Sequence, residues 1–385
     1  MADGGRDSGS GTGGKAAGLS ALRRIPSETL NGEQAVGTPE PHEKDDRSVR
    51  PYGARGARIL GTGSYFPGEP VSNEEVVAAI GGELTTSEWI ESHTGIVSRH
   101  WAPSEMATSD LAAQAGLSAL QAAGLDASDL GHILLCSTTA DWTSPAAANR
   151  VQNLIGASCP AEDKQVACAS WLFGLDHAAR LCATDSGPVL VIGADIKSRF
   201  VALDDYRLRP VFADGAGAVV LGAGGNDGQG LLTVRLISDG SRVMNLYTPA
   251  GGSHLPASEN TVADGLHFVH MEVSGKEIAQ HAVEIMAGSV RSVLDEVGWG
   301  LDDVDHFVGH QANLAILKGL MKELDVGPER WPITIDHTGN TVSATLPCTL
   351  DMVSRDGRVR PGDRIILTTA GAGYSGGAAA YLVPS

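Results

Sequence analysis

Apolar positions along the chain fall into two rhythms. Short apolar runs, bounded by glycine and proline, alternate with longer stretches in which apolar residues recur three and four apart. Order is expected from Ala57. The run Ala57-Arg-Ile-Leu-Gly-Thr-Gly-Ser-Tyr-Phe-Pro67 reads as a strand entering a turn. A helix is expected around Glu74 to Ala79. Another should run from Asp110, capped by Ser109, to Gly124, with Ala113, Leu117 and Leu120 as its buried stripe. His132 to Cys136 reads as a buried strand. After Lys164-Gln-Val-Ala-Cys168, the spacing of Leu172, Leu175 and Cys182 predicts a helix that begins just past the cysteine. Strands and helices in alternation predict an α/β fold.

The pattern repeats. Ala123-Gly-Leu-Asp-Ala-Ser-Asp-Leu-Gly-His-Ile-Leu134 resembles Val297-Gly-Trp-Gly-Leu-Asp-Asp-Val-Asp-His-Phe-Val308, at an offset of 298 − 124 = 174. Gly187-Pro-Val-Leu-Val-Ile192 resembles Gly362-Asp-Arg-Ile-Ile-Leu367, at an offset of 362 − 187 = 175. Two matches in the same order at nearly one offset indicate an internal duplication. The expected organisation is therefore a tail over 1–56, one α/β half over 57–228 and a second over 229–385.

Composition narrows the function classes. The 385 residues are 42% hydrophobic and 19% charged, as in a soluble globular protein. A formal net charge of −18 argues against nucleic acid as the main partner, because phosphate binding needs clustered Lys and Arg. The five cysteines (Cys136, Cys159, Cys168, Cys182 and Cys348) are widely spaced and form no Cys-x-x-Cys pair. That disfavours a disulfide framework and a zinc site, and points to reduced thiols in the cytoplasm. No apolar run reaches membrane-spanning length, and the N-terminus lacks the pattern of a signal peptide. Seven of its first twenty residues are glycine, so a flexible extension is expected, although Leu19, Leu22 and Leu30 have the spacing of a short amphipathic helix. Gly61 and Gly63 could open a dinucleotide fingerprint, but its third glycine is missing.

The chemistry centres on Cys168. A cysteine before a helix meets unpaired N–H groups and the positive end of the dipole, both of which favour thiolate. A buried structural thiol is the ordinary alternative for any single cysteine. Two further segments bear on the choice. His310, in Val308-Gly-His-Gln-Ala-Asn313, follows an expected strand, where α/β folds place chemistry. Asn340, in Thr338-Gly-Asn-Thr341, sits in an expected turn and could take a left-handed conformation. Cys168 plus the offset of 174 falls at Val342, beside Asn340. Thr138-Thr139 maps to Ala312-Asn313, beside His310. A pseudo-twofold packing of the halves would bring these connections to one site.

With these residues in place, the chain resembles the β-ketoacyl-acyl-carrier-protein synthase III family of the thiolase superfamily. Val-Ala-Cys168-Ala-Ser-Trp, His310-Gln-Ala-Asn and Gly-Asn340-Thr-Val-Ser-Ala correspond to its three active-site segments. Glu88 to Arg99, Phe212 to Ala218 and Gly371 to Gly377 agree as well, over about Arg58 to Pro384. The resemblance implies a thiolase fold, with duplicated αβαβα halves in a five-layer arrangement, and a homodimer. It implies a catalytic triad of Cys168, His310 and Asn340, and an oxyanion hole from the backbone N–H groups of Cys168 and Ala372. Substrate contacts are implied for Trp89, Ser144, Arg199 and Asn313. The expected substrates are an acyl-coenzyme A or acyl-carrier-protein thioester and a malonyl-carrier protein, with no metal and no cofactor beyond the coenzyme A thioester substrate. In this chemistry Cys168 takes the acyl group, and malonyl decarboxylation generates an enolate that His310 and Asn340 hold by hydrogen bonds.

Departures from the family pattern suggest a specialised biosynthetic member. Ser170 and Trp171 stand where Gly and Phe are usual. Trp89 matches the pantetheine-side tryptophan, but His93 replaces a basic residue. Ala315 replaces an arginine, with Lys318 a turn later. Ser144, before Pro145, replaces a bulky pocket residue and should enlarge the acyl pocket. Two other readings share parts of this pattern. A non-condensing acyltransferase, delivering a starter acyl group to a carrier protein, alcohol or amine, would use the same acylation half. A non-catalytic partner subunit is disfavoured by the intact triad.

Overall fold

The computed structural model describes residues 57–81, 85–184, 186–225 and 227–385. The tail expected over 1–56, with its short helix, lies outside the described residues. In chain order the elements are β1 (Arg58–Tyr65), β2 (Pro70–Ser72), α1 (Asn73–Ile80), α2 (Ser87–Thr94), β3 (Ser98–His100), α3 (Thr108–Ala123), β4 (His132–Cys136), α4 (Ala147–Ile155), β5 (Ala161–Lys164), α5 (Ser170–Cys182), β6 (Val189–Ile196) and β7 (Asp214–Gly222). They continue with β8 (Gly230–Ser238), β9 (Leu246–Tyr247), α6 (Glu259–Ala263), β10 (His270–Met271), α7 (Gly275–Val297), β11 (His306–Gly309), α8 (Leu314–Leu324), α9 (Ile335–Thr338), α10 (Thr345–Arg355), β12 (Arg364–Gly371) and β13 (Ser375–Leu382).

Two mixed sheets carry the structure. One runs β1-β7-β6-β4-β5 and the other β11-β12-β13-β8. Four strands of each correspond, β1 with β8, β7 with β13, β6 with β12 and β4 with β11, and β5 is an additional strand at the edge of the first sheet. β4 joins both β6 and β5 in parallel, as β11 joins β12, and the remaining pairs are antiparallel. The duplicated punctuation keeps its backbone conformation. Gly124 and Gly298 end α3 and α7 at φ 66° and 70°, while Gly187 and Gly362 open β6 and β12 at φ 79° and 89°.

Five layers result. α3 and α4 cover the outer face of the first sheet, through Leu111, Ala115, Val151 and Leu190. α7 and α8 cover the second, through Met286, Val290, Leu317 and Phe307. Between the sheets lie α5 and α10, whose Trp171, Leu172, Leu175, Leu346 and Leu350 are buried against strands of both. Their central residues are enclosed by the two sheets, and their charged residues Arg180 and Arg355 lie near the C-terminal ends, where they reach solvent.

Two local expectations change. Ser109 lies inside α3, not at its cap. Its hydroxyl donates to Asp141 at 2.6 Å, and the Asp110 carboxylate accepts from the Ala107 N–H at the helix start. Leu117 is exposed. Ala113 and Leu120 are buried as expected, and the stripe continues through Leu111, Ala112, Ala115 and Ala119. Gly61 and Gly63 explain this small-residue stripe. A Cβ at Gly61 would sit 2.4 Å from the Ala119 carbonyl oxygen, and one at Gly63 would sit 2.5 Å from that of Ala115. The glycines are there for close packing of helix on strand, not for a nucleotide.

Candidate active site

α5 is preceded by a tight turn. Ala167 takes φ 47°, the Ala169 N–H donates to the Val166 carbonyl at 3.0 Å, and the Ser170 N–H donates to Ala167 at 3.1 Å. The Ser170 hydroxyl closes the turn by donating to the Ala167 carbonyl at 2.6 Å while accepting from the Val166 N–H at 2.7 Å. A non-glycine residue in the left-handed region carries strain, and here it sits next to Cys168. Cys168 is thereby held at the end of the sheet, two residues before the helix, where it lines a cavity of about 350 Å³.

His310, Asn340 and Ala372 line the same cavity. His310 follows β11 directly, its N–H bonded to the Thr368 carbonyl of β12 at 2.9 Å. Asn340 is fixed on both sides of its backbone, donating to Val211 at 3.0 Å and accepting from Ala213 at 2.9 Å. Buried Arg99 braces that segment through the Pro210 carbonyl at 3.0 Å. The Asn340 side-chain oxygen accepts the Val342 N–H at 2.9 Å. Because a backbone N–H can only donate, the amide orientation is determined, and the NH₂ group is the end left for the cavity. The left-handed conformations of this loop belong to Gly339 (φ 63°) and Val342 (φ 58°), not to Asn340 as the turn reading allowed.

Electrostatics make the site largely neutral at rest. Burial depresses His310 to about 4, so the ring is uncharged at neutral pH. Burial, followed by the negative charge of Asp195, pushes the Cys168 thiol up to about 12, and Lys197 acts in the opposite direction. The expectation of a stabilised thiolate is thus reversed. In the resting site, desolvation outweighs the dipole of α5 and the N–H groups around it. Lys197 itself is depressed by burial and lies at the end of β6, its ammonium 3.5 Å from the Thr138 hydroxyl.

The approach to the triad is apolar, walled by Leu208, Phe212, Leu246, Ile278 and Met286. Trp89 lines it, stacked on His93 at a centroid distance of 4.4 Å, and so does Asn313, whose side-chain oxygen caps α8 through the Ala315 N–H. Two expected contacts lie elsewhere. Arg199 donates to the Pro103 carbonyl at 2.5 Å and is not part of the cavity wall; the arginine on that wall is Arg207. Ser144 sits in the exposed 142–145 stretch, outside this cavity. Arg199, Arg207 and Arg209 lie close together in the chain, and the sequence alone does not say which of them lines the cavity. Only the fold shows that Arg209 turns inward, over the Trp101 ring at 4.0 Å. Lys197 and Thr345 were also missed. Thr345 carries a signal that the repeat could have supplied, since it stands 175 residues after Ser170.

Comparison with known proteins agrees with this geometry. Family models for 3-oxoacyl-[acyl-carrier-protein] synthase III match residues 163–240, and those for its C-terminal part match 294–383. The chain is 38% identical to β-ketoacyl-[acyl-carrier-protein] synthase III of Rhizorhabdus wittichii, over 85% of this chain and 99% of the relative. It is also 38% identical to that of Syntrophomonas wolfei, over 83% and 95%. Among solved structures it resembles 3-oxoacyl-(acyl carrier protein) synthase III of Pseudomonas aeruginosa, with a TM-score of 0.78 and 36% identity over 86% of this chain and 99% of that one. The priming β-ketosynthase of the R1128 polyketide pathway is similar too, with a TM-score of 0.77 and 31% identity over 86% and 97%. The two stacked, corresponding sheets are those of the thiolase fold, and the chain belongs to the β-ketoacyl-acyl-carrier-protein synthase III family of acyl-transferring ketosynthases.

Proposed function

We propose that the protein condenses an acyl group on Cys168 with a malonyl thioester. The observation that carries this reading is the pair of neutral donors, His310 and the Asn340 amide, on the cavity that holds Cys168. The Cys168 sulfur attacks the carbonyl of an acyl thioester. A new C–S bond forms, the donor thiol leaves with the proton, and the backbone N–H groups of Cys168 and Ala372 receive the oxyanion. Gly371 permits that arrangement, since a Cβ there would come 2.7 Å from the Cys168 nitrogen. The malonyl thioester then loses CO₂, and its enolate oxygen accepts hydrogen bonds from His310 and Asn340. A carboxylate at 340 would repel that oxygen. The enolate carbon attacks the acyl-Cys168 carbonyl, and the thiolate of Cys168 leaves the β-ketoacyl thioester.

The apolar approach fits a pantetheine arm, with Trp89 and Asn313 beside it and Arg207 available for a phosphate. The acyl donor rides on coenzyme A or a carrier protein, the extender on a carrier protein, and no further cofactor is needed. The pathway is a fatty-acid or polyketide one in the cytoplasm; no described helix is long and apolar enough to cross a membrane. The working unit is a homodimer. β5 lies at an edge of its sheet and leads directly to Cys168, so a partner strand there would stabilise the nucleophile turn.

The test separates the half-reactions. With an acyl-coenzyme A donor, His310→Ala should still acquire the acyl mass on Cys168. It should lose malonyl decarboxylation by at least about 100-fold, the size of a lost oxyanion donor. An acyl-enzyme that ignores malonyl-carrier protein and instead acylates an alcohol or amine would replace condensation with plain acyl transfer.

A further inference from the structure

Thr345 opens α10 and touches the catalytic histidine. Its hydroxyl oxygen lies 2.5 Å from His310 Nδ1, and both residues are buried. The same hydroxyl is 3.3 Å from the Val342 carbonyl. A threonine hydroxyl has one proton to give, so only one of these two contacts can be its donation.

The duplication tells which. Ser170 opens α5 and stands 345 − 170 = 175 residues earlier. Its turn is the same: Ala167 at φ 47° corresponds to Val342 at φ 58°. There the hydroxyl donates to the turn carbonyl at 2.6 Å, an ordinary O–H···O length. At Thr345 the equivalent contact has stretched to 3.3 Å, and the oxygen has moved onto the imidazole. No ring competes at Ser170, because Cys136 occupies the position that His310 has in the second half (310 − 136 = 174).

We infer that Thr345 is a positioning residue whose hydroxyl donates to His310 Nδ1, fixing the ring as the tautomer that carries its proton on Nε2. The inference deepens the condensing reading and rests on it for its kinetic part. It gives the two half-reactions different demands. An Nε2–H is a donor for the malonyl enolate. It has no lone pair with which to take the Cys168 proton, so acylation proceeds without His310 as base.

The experiment compares Thr345→Val and Thr345→Ser with the intact wild-type protein. ¹⁵N NMR of selectively labelled histidine reads the tautomer without any substrate. Wild type and Thr345→Ser should show His310 Nδ1 unprotonated and Nε2 protonated, and Thr345→Val should lose that preference. Single-turnover mass spectrometry with acyl-coenzyme A should find acylation in Thr345→Val within about threefold of wild type. CO₂ release from malonyl-carrier protein by the acyl-enzyme should fall by about tenfold or more, with Thr345→Ser restoring it. A wild-type His310 protonated on Nδ1 overturns the inference, as does an equal loss in both half-reactions for a Thr345→Val protein that remains folded. If the wild-type acyl-enzyme fails to use malonyl-carrier protein, the condensing reading falls. The NMR result still decides the tautomer.

Discussion

Cys168 and Ser343 occupy equivalent places in the two halves, 175 residues apart. Each follows a residue with positive φ, and each precedes a helix of the central layer. Their fates differ completely. Ser343 is sealed: its hydroxyl donates to Asp195 at 2.5 Å and lies 2.8 Å from the Cys136 carbonyl, while its N–H donates to Asp195 at 3.1 Å. Asp195 itself also gathers the Thr138 N–H and the hydroxyls of Thr138 and Thr139, tying the first half to the second. Cys168 opens onto the cavity. The residue equivalent to Asp195 in strand register is Gly371, which has no side chain and lines the cavity, and the residue equivalent to Cys136 is His310. The same elbow is therefore a structural bolt in one half and, in the proposed reaction, holds the nucleophile in the other. Two substitutions around it, not the turn itself, decide which.

The first way to break this comparison is to delete each side chain. Cys168→Ala should lower β-ketoacyl formation by at least about 10³-fold while leaving the fold intact. Ser343→Ala should keep turnover but lower unfolding free energy by about 1–3 kcal/mol, because buried Asp195 loses a donor. Steady-state kinetics and urea denaturation check the pair. A smaller effect follows from backbone placement. Gly371→Ala puts a Cβ 2.7 Å from the Cys168 nitrogen. Single-turnover acylation should drop by about 100-fold, the consequence of a misplaced nucleophile.

A smaller change converts one elbow toward the other. Ala370→Asp places a carboxylate on the cavity wall next to Gly371, the position equivalent to Asp195. It should raise the Cys168 thiol further and slow iodoacetamide labelling roughly tenfold, the equivalent of one pKa unit. The mildest test is Lys197→Met, which removes the cation that opposes Asp195. Labelling at fixed pH should slow by about threefold. In both cases the rate should climb with pH through and beyond 9, since the thiol is held near 12. His310 has the opposite linkage: its folded-state value, about 4, lies below that of the unfolded chain. Below about pH 6.5 the unfolded histidine takes up the proton, so stability falls as the pH drops toward 4. Activity should show no His310 limb near 6.5.

These contrasts also mark how far the sequence could be read. The duplication was visible from Gly124, Gly298, Gly187 and Gly362, whose left-handed turns are chemically enforced. The meeting of Cys168, His310 and Asn340 at one cavity was legible because they stand in distinctive ordered segments. The match of Cys168 to Val342 was off by one residue, since the offset changes from 174 to 175 between the repeats and only the paired turns fix it. The direction of the Cys168 shift was illegible: a dipole is a local feature, whereas desolvation depends on everything packed around the thiol. The place of Arg199 and Arg207 relative to the cavity was illegible for a similar reason. Both are basic residues on one connection, and which of them faces the cavity depends on how that connection folds.

Intact-protein mass spectrometry addresses the central claim most directly. Wild type, Ser343→Ala and Cys168→Ala are each incubated with an acyl-coenzyme A and then with malonyl-carrier protein. Wild type and Ser343→Ala should gain one acyl mass and return to the starting mass as CO₂ and a β-ketoacyl-carrier protein appear, while Cys168→Ala gains none. An acyl adduct on Cys168→Ala, or its loss in a folded Ser343→Ala protein, would contradict the assignment of one reactive and one structural elbow.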